Sequence, residues 1–460
     1  MSLRGIFVLA VLLLLALTLL YWTGRAPPPS GGEGTGLGPV LAIPLDEIGA
    51  IEIEGGGGAA CRIERHGEKG WTIVSPLVAE ADPREVESFV KGLEEARLLR
   101  VAEEKPKDAA RFGLEAGATA IRVVPRKAGA PRVVRIGRRS PVGTERYTDL
   151  GDGRVLLADF GGSLVERTPE SFRERRLFPF DSGAIRRISV ERPAGRLVLQ
   201  RDGRTWSLEE PLEDLADYGA ADGLARHVAS LSVTRFLPAS AGESGPPGAT
   251  SLRVEIDTDG GGGSAAAEIA APDSEGNRRA SRPGGAGLGV LTEADVSELL
   301  RAAEEFREHR PILFSSPDLR GLRIEGSGST LHAYRETEGG AWAVREGSGP
   351  SLPAEAARID ELVDRIRWLR ASRVLDAGGG RFDPALTIEL EGDGEPLGRL
   401  ELDGIPRASA GTASPSAGDE TVRVRSSSRT GCVFEIPLSQ LAGLPRRAED
   451  LARPPTESHP

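Results

Sequence analysis

The pattern of apolar and polar positions along this chain predicts one structural unit that occurs three times. In each copy, short alternating stretches predict β-strands, and a stretch with an apolar residue at every third or fourth position predicts an amphipathic helix. The positions that mark the pattern are Trp71, Pro76, Asp82 and Arg100 in the first copy, Trp206, Pro211, Asp217 and Arg235 in the second, and Trp342 and Arg373 in a looser third. The internal period is about 135 residues.

The marker residues have structural interpretations. The two prolines end strands, because a proline nitrogen cannot donate a hydrogen bond to the next strand. Asp82 and Asp217 directly precede the predicted helices, where an aspartate caps the first turn, and we prefer this role to a pair of catalytic carboxylates. The arginines lie near the predicted helix ends, where a cation complements the helix dipole. The tryptophans are predicted to be core residues, with a sugar-stacking surface as the alternative.

These elements predict an α+β fold class. We expect an N-terminal transmembrane helix followed by three tandem repeats, each made of antiparallel strands plus a packed helix. The repeats adjoin directly, since the Phe-Arg-Glu sequence at 172–174 recurs at 306–308. The predicted domains are 1–24, a cytoplasmic stub with the transmembrane anchor; 25–44, a Pro/Gly-rich tether; 45–180, 181–315 and 316–452, the three repeats, of which the last is degenerate; and 453–460, a disordered tail.

The transmembrane helix is predicted from an uncharged apolar stretch. Residues 6–22 are rich in Leu and Val and end in Tyr21 and Trp22, an aromatic pair typical of a membrane interface. A cleaved signal peptide is the alternative, but no clear small-residue cleavage site follows, and Arg25 interrupts the region. We therefore expect a single-pass protein of the cytoplasmic (inner) membrane, with Arg4 in the cytoplasm and the bulk of the chain outside it.

Composition narrows the partners and the redox chemistry. With 460 residues, 39% of them hydrophobic and 28% charged, the chain suits a globular protein of several domains. A net charge of −11 argues against a nucleic-acid partner, which requires concentrated positive charge. Cys61 and Cys432 are too few for a disulfide framework, and we expect two unpaired cysteines in strands that behave as small apolar residues.

No group of residues in the sequence identifies a reaction. Ser88 and Lys91 have the Ser-x-x-Lys spacing of penicillin-binding enzymes, but the partner motifs of those enzymes are missing, so an exposed helix face is the preferred interpretation. The histidines show no metal-ligand spacing with one another or with the cysteines; they are His66, His227, His309, His332 and His459. We predict no catalytic residue, no cofactor and no metal site.

The order of the motif residues resembles the bacterial DUF4340 family. The residues that carry the resemblance lie between about positions 48 and 235, and they are Trp71, Pro76, Asp82, Phe112, Gly113, Leu114, Gly137 and Tyr147. The resemblance weakens after residue 240. Members of this family look like single-span extracytoplasmic proteins that are often encoded beside ABC-type export systems similar to those linked with gliding motility. The resemblance therefore implies an accessory role and supplies no catalytic residues.

The leading functional hypothesis is a membrane-anchored, extracytoplasmic, non-enzymatic accessory or scaffold protein. Its expected partners are the membrane, through the single N-terminal span, and a membrane protein complex such as an ABC-type permease. The alternative is a periplasmic glycan- or ligand-binding protein that uses a groove lined by the recurring tryptophans. An envelope hydrolase built on Ser88 and Lys91 is a third possibility.

Overall fold

The computed structural model describes residues 37–41, 43–55, 60–67, 70–161, 167–237, 250–259, 263–283, 287–326, 328–335, 337, 340–377, 382–394, 396–404 and 420–453. The α-helices in these residues are α1 (Pro83–Glu95), α2 (Tyr218–Ser230), α3 (Glu293–Val296), α4 (Ala356–Arg367) and α5 (Leu438–Leu441). Three of them, α1, α2 and α4, exceed two turns. Each of these three follows the first strands of one sheet.

The first sheet is antiparallel and has ten strands among the described residues. These are β1 (Gly38–Pro39), β2 (Ile48–Glu54), β3 (Cys61–His66), β4 (Gly70–Ser75), β5 (Ala79–Ala81), β6 (Arg97–Glu103), β7 (Thr119–Pro125), β8 (Arg132–Arg139), β9 (Arg146–Asp149) and β10 (Val155–Asp159). Their spatial order is β1-β6-β10-β9-β8-β7-β2-β3-β4-β5. Because β2 pairs with both β3 and β7, the chain before α1 and the chain after it form one sheet.

The second and third sheets are also antiparallel. The described strands of the second are β11 (Ile185–Arg192), β12 (Gly195–Asp202), β13 (Thr205–Glu210), β14 (Asp214–Leu215), β15 (Arg235–Phe236), β16 (Thr250–Thr258), β17 (Ser264–Ala270), β18 (Arg278–Ser281) and β19 (Gly289–Leu291). Those of the third are β20 (Gly321–Gly326), β21 (Ser329–Arg335), β22 (Trp342–Glu346), β23 (Leu352–Pro353), β24 (Arg373–Asp376), β25 (Leu386–Glu391), β26 (Pro396–Asp403), β27 (Thr421–Ser426) and β28 (Arg429–Pro437).

The three sheets share one topology. The spatial order is β14-β13-β12-β11-β16-β17-β18-β19-β15 in the second sheet and β23-β22-β21-β20-β25-β26-β27-β28-β24 in the third. The first sheet has the same order from β5 to β6 and adds β1 at the edge beside β6. In each case the strand directly after the long helix lies at the far end of this shared order, and the next strand returns to pair with β2, β11 or β20. We call each sheet with its long helix a repeat.

Each long helix packs an apolar face on its sheet. In α1 the buried residues lie three or four positions apart, at Val86, Phe89, Val90 and Leu93. The corresponding residues of α2 are Ala221, Leu224, Ala225 and Val228, and those of α4 are Ile359, Leu362, Val363 and Ile366. The predicted helix faces are therefore confirmed.

The predicted aspartate caps are also confirmed. The side chain of Asp82 accepts a hydrogen bond from the backbone N–H of Arg84, and that of Asp217 accepts one from Ala220. The corresponding residue of α4 is Glu355, whose side chain makes no capping hydrogen bond. Strands β4 and β13 each end directly before a proline, at the cis peptides Ser75-Pro76 and Glu210-Pro211.

A backbone hydrogen bond closes each repeat at the start of its long helix. The N–H of Asp82 donates to the carbonyl of Phe172 (2.8 Å), and that of Asp217 donates to Phe306 (2.8 Å). In the third repeat the N–H of Glu355 donates to Leu451 (2.9 Å). The segment that ends each repeat therefore returns to the point where its helix begins.

The predicted fold class, α+β with an N-terminal transmembrane helix, is wrong. The described residues form mostly antiparallel sheet, with one long helix on each of three large sheets. In this part of the chain no helix is long and apolar enough to cross a membrane. The segment predicted to do so, residues 6–22, lies outside the described residues. The prediction gave too much weight to the helix of each copy, because short hairpin strands have a weaker sequence signal than an amphipathic helix.

The predicted position of the marker arginines at helix ends is wrong too. Helix α1 ends at Glu95, and Arg100 lies in β6. Arg235 lies in β15 and Arg373 in β24, and all three side chains are exposed. These residues mark the strand that follows each helix, because pairing across the sheet overrides the helical spacing of the residues before it.

The described residues divide into two units between Arg175 and Arg176. The first unit contains the first sheet, and the second unit contains the other two. Each sheet has its own apolar core beneath its long helix. The predicted domain boundaries stay predictions.

We expect Asp82→Ala to lower the local unfolding free energy of α1 by about 1 kcal/mol, because the substitution removes the side-chain acceptor at the first turn. Hydrogen exchange of the α1 amides measures this change. Asp82→Asn keeps an acceptor and is the matched control. In the third repeat, Glu355→Ala should change the exchange of α4 little, since Glu355 makes no side-chain cap. Equal losses in all three variants would contradict the capping role.

Candidate functional site

The three recurring tryptophans lie in the cores. Their exposed fractions are 3% for Trp71, 1% for Trp206 and 5% for Trp342. An arginine from the preceding strand stacks on each indole, at 4.5, 5.4 and 4.6 Å from the ring centre; these arginines are Arg65, Arg201 and Arg335. The cation–π contact covers the indole at the start of strands β4, β13 and β22. The burial agrees with core residues, and these indoles line no surface groove.

The residues considered for catalysis are dispersed. Ser88 and Lys91 are exposed on α1, where Lys91 lies 3.7 Å from Glu95. Among the histidines, the ring of His227 contacts the carbonyl of Asp295 at 2.6 Å, and that of His309 contacts Ala371 at 2.8 Å. His332 contacts the Glu391 carboxylate at 3.1 Å, and His66 is exposed; His459 lies outside the described residues. Within the part of the chain that the structure covers, no three His, Cys, Asp or Glu side chains are grouped to hold a metal ion.

Both cysteines are unpaired and buried, as predicted. Cys61 lies in β3 and Cys432 in β28. Burial raises the pKa of the Cys61 thiol to about 11, with a further contribution from Glu170. A thiol with a raised pKa is a poor nucleophile at neutral pH, so this residue has the chemistry of a core position.

A buried ion cluster joins the second and third repeats. Asp214, in β14 at the edge of the second sheet, accepts hydrogen bonds from Arg307 Nε (2.7 Å) and Arg429 Nε (3.0 Å). The three side chains are only 3%, 2% and 8% exposed. Cys432 lies against the same group, with its Sγ 3.4 Å from Arg307 Nη2. We call Asp214, Arg307, Arg429 and Cys432 the buried ion cluster.

The arginines of this cluster also bind backbone carbonyls, one of them in strand β24 of the third sheet. Arg307 Nη1 donates to Val374 (3.2 Å), and Arg429 Nη1 donates to Arg310 (3.2 Å). Burial by itself would raise the pKa of Asp214, but hydrogen bonds from Arg429 and Arg307 outweigh it and hold the pKa below its ordinary value of 3.8. The carboxylate is therefore ionised at neutral pH and serves as the shared acceptor that fixes the two repeats together.

Sequence reasoning missed this cluster. The repeated Phe-Arg-Glu junction contains Arg307, so one member carried a signal. Asp214 and Arg429 are 215 positions apart, and no local pattern connects them.

A cavity of about 850 Å³ lies in the third repeat. Helix α4, strands β20 and β21, and the segment from 441 to 451 surround it. Its apolar lining includes Ile324, Leu331, Leu362, Leu441 and Leu451, and its charged lining is Arg358, Glu361, Arg365, Arg446, Arg447 and Asp450. We call it the third-repeat cavity. Its volume is within the range of small-molecule sites.

An exposed tryptophan marks a second feature of the third repeat. Trp368, at the end of α4, is 62% exposed. The guanidinium groups of Arg367 and Arg310 lie 5.5 and 6.0 Å from its ring centre. The same two arginines and the 44% exposed Leu313 line a smaller cavity of about 360 Å³. We call Trp368, Arg310, Arg367 and Leu313 the Trp368 surface.

Comparison with known families bears on the first two repeats. Residues 71–250 match the family model described as Domain of unknown function (DUF4340). This segment belongs to the DUF4340 family. The DUF4340 match begins at Trp71 and reaches the first residue of β16, so it covers both aspartate-capped helices. The third-repeat cavity and the Trp368 surface lie outside it.

Comparison with solved structures and curated proteins adds no argument about function. Among solved structures, the chain is similar to a DNA polymerase sliding clamp from Pseudomonas aeruginosa, at 8% identity over 86% of this chain and 93% of that one, with a TM-score of 0.14. It is similar to DNA polymerase III subunit beta from Borrelia burgdorferi at 8% identity, over 87% and 92% of the two chains, with a TM-score of 0.13. Neither likeness bears on the fold at such low TM-scores. No curated protein matches.

We expect Asp214→Ala to destabilise the second unit by about 3–5 kcal/mol, because it removes the buried carboxylate that two buried arginines share. Arg307 would keep only its ion pairs with the exposed Glu304 and Asp376. Denaturant unfolding of the full chain, followed by hydrogen exchange in the third sheet, measures the loss. Asp393→Ala is the matched control, since it breaks an exposed ion pair with Arg320 in the same unit and should cost less than about 1 kcal/mol. Similar losses for both variants would contradict the role of the cluster.

The cluster also predicts a pH dependence. Because the folded-state pKa of Asp214 is lowered, its contribution to stability is present above its ordinary pKa of 3.8 and is lost as the pH falls through the folded-state value. The stability of the second unit should therefore fall below about pH 4 more steeply in the natural protein than in Asp214→Asn. Parallel pH profiles for the two proteins would refute the predicted linkage.

Proposed function

We propose that this protein is a non-enzymatic accessory or scaffold protein that acts outside the cytoplasm with an ABC-type transport or envelope assembly. The observation that carries the proposal is the Trp368 surface, an indole in water between two arginines. Tryptophan and arginine are enriched among the residues that dominate binding at protein interfaces. Large apolar side chains left exposed beside a cavity favour contact with another molecule.

The Trp368 surface is held by the contacts of its own unit. The backbone N–H of Trp368 donates to the carbonyl of Asp364 at 2.9 Å. Arg310 forms an ion pair with the buried Glu308 at 2.6 Å, and Glu308 directly follows Arg307 of the buried ion cluster. Side chains that are already positioned lose less conformational entropy on binding. This arrangement supports a docking role.

The charges of the surface suggest the chemistry of its partner. Arg367 gives this patch a positive charge in a chain whose net charge is −11, while the charge of Arg310 is balanced by Glu308. A partner that presents acidic side chains around an apolar residue would complement both the guanidinium groups and the indole. A second exposed aromatic residue, Tyr218 at the start of α2, is 48% exposed. Its neighbour Asp217 lies 3.4 Å from Arg370, which is two residues after Trp368, so Tyr218 adds aromatic area near the Trp368 surface.

The place and the partner class come from the family resemblance. Residues 71–250 match DUF4340, which supports the resemblance over the first two repeats. The extracytoplasmic location and the link with an ABC-type assembly belong to the proposal. A glycan- or ligand-binding protein with a groove of recurring tryptophans has less support, because Trp71, Trp206 and Trp342 are buried.

Site-specific photo-cross-linking tests the proposal. Benzoyl-phenylalanine at Leu313 places the reactive group on the Trp368 surface without altering its tryptophan. In intact cells that express the full chain, we expect a cross-link to a permease-type membrane protein, identified by mass spectrometry. Trp368→Ala in the same chain should reduce that cross-link by at least about tenfold, because the exposed indole would supply much of the contact.

The control places benzoyl-phenylalanine at Val142, an 82% exposed apolar residue of the first unit. A cross-link to the same membrane protein at Val142 but not at Leu313 would contradict a contact through the Trp368 surface. Failure to recover any membrane protein from Leu313, or recovery of cytoplasmic proteins alone, would refute the accessory function proposed here.

A further inference from the structure

The three repeats differ at one pair of core positions. In the first repeat, Phe89 of α1 packs edge to face against Phe172, with ring centres 5.3 Å apart. Helix α2 has Leu224 at the position of Phe89, and the second repeat keeps a phenylalanine at 306 in the place of Phe172. The third repeat has leucine at both positions, Leu362 in α4 and Leu451 near the chain end.

The equivalence of these positions rests on backbone contacts. Phe172, Phe306 and Leu451 each accept the hydrogen bond from the residue before the long helix. The next residue in each case forms an isolated bridge to the strand side of that helix, at Ala81–Arg173, Ala216–Arg307 and Ala354–Ala452. Leucine at 451 therefore occupies the place that a phenylalanine ring fills in the other two repeats.

The two leucines of the third repeat lie at the third-repeat cavity. Leu362 and Leu451 both line it, and each side chain is smaller than the phenylalanine at the corresponding position of the first repeat. The cavity of about 850 Å³ is thus lined by the two leucines that replace the aromatic pair of the first repeat.

The floor of the third-repeat cavity is apolar. Ile324 and Leu331 face it from the sheet, and Leu362, Leu441 and Leu451 from the other walls; each is at most 5% exposed. The strands beneath it, β20 and β21, have neighbours on both sides in the sheet. These two strands therefore offer no free edge with which an incoming peptide could pair. A hydrocarbon chain, which has no backbone hydrogen-bonding groups, suits the cavity floor better than a peptide does.

The charged lining of the cavity has an excess of arginine. Its members are Arg358, Arg365, Arg446 and Arg447, with Glu361 and Asp450 as the acidic residues. Glu361 is paired with Arg365 at 3.0 Å. The Asp450 carboxylate accepts backbone N–H groups of Arg446 (2.8 Å) and Arg447 (3.0 Å), so it is committed to the turn. Arg358 is paired with Glu355 at 2.8 Å. Four arginines against these three carboxylates leave a net positive charge at the cavity, which favours an acidic group in the ligand.

We propose that the third-repeat cavity binds a single-chain amphiphile with a carboxylate head, of the fatty-acid type. The hydrocarbon chain lies on the leucine floor, and the carboxylate lies among the arginines at 358, 365, 446 and 447. Arginine presents paired N–H donors that match a carboxylate, and burial of methylene groups supplies the remaining affinity. This ligand site goes beyond the proposed function and does not depend on it.

Displacement of a fluorescent fatty acid tests the inference. The full chain, in detergent-free buffer, is titrated with 11-(dansylamino)undecanoic acid, and the bound probe is then displaced with dodecanoate. We expect saturable binding and displacement by dodecanoate. Dodecylamine has the same chain with a cationic head and should compete at least about tenfold more weakly. Lysophosphatidylglycerol separates the two sources of an acidic acyl chain: competition by this lipid without competition by dodecanoate would overturn the carboxylate assignment.

Two variants test the site. Leu362→Phe with Leu451→Phe introduces the ring pair of the first repeat, and it should weaken probe binding at least about tenfold because the larger side chains narrow the apolar part of the cavity. Arg446→Glu with Arg447→Glu reverses two exposed charges and leaves the backbone donors to Asp450 in place, so the fold should be retained. This second variant should weaken dodecanoate and leave dodecylamine unchanged or improved.

The matched control is Arg345→Glu with Arg373→Glu, which reverses two exposed charges of the same sheet outside the cavity. Circular dichroism verifies that each variant is folded. Probe binding that persists in the folded Phe variant, or falls equally in the control and the Arg446/Arg447 variant, would overturn the assignment.

Discussion

The structure depends on one closing contact that every repeat makes. The residue before each long helix donates its backbone N–H to the segment that ends the repeat, from Asp82 to Phe172, from Asp217 to Phe306 and from Glu355 to Leu451. The contact satisfies a donor at a helix start and places the side chain of the acceptor residue beneath the helix. Because it uses backbone atoms, the contact persists while the side chains change from phenylalanine to leucine. Each repeat can therefore vary its core without losing its closure.

The buried ion cluster adds a specific connection to this common frame. Asp214 belongs to the second repeat, whereas Arg429 and the carbonyl of Val374 belong to the third. A buried charge is tolerated only when its partners are close and its remaining hydrogen-bonding groups are satisfied, and here one carboxylate receives both guanidinium groups. Arg307 lies at the repeated junction, so the same chain segment closes the second repeat and fixes it to the third.

The third repeat combines the shared topology with features that can bind other molecules. Its leucine pair lines a cavity with an apolar floor and arginines around it, and its helix ends in an exposed tryptophan flanked by two arginines. Residues 71–250, which match DUF4340, end before this repeat. The chemistry proposed here for contact with partners and ligands is therefore concentrated in the part of the chain where the recurring sequence pattern is weakest.

The sequence by itself determined the features that depend on neighbouring residues. The period, the helix faces, the aspartate caps and the strand ends before Pro76 and Pro211 follow from local spacing and local backbone chemistry. The sheet order, the placement of Arg100 in strand β6 and the predominance of β structure were decided by pairing between distant segments, which local patterns do not encode. The ion cluster and the cavity were likewise decided by tertiary structure, because Asp214 meets Arg429, and Leu362 shares a cavity with Leu451, only after the sheets have formed.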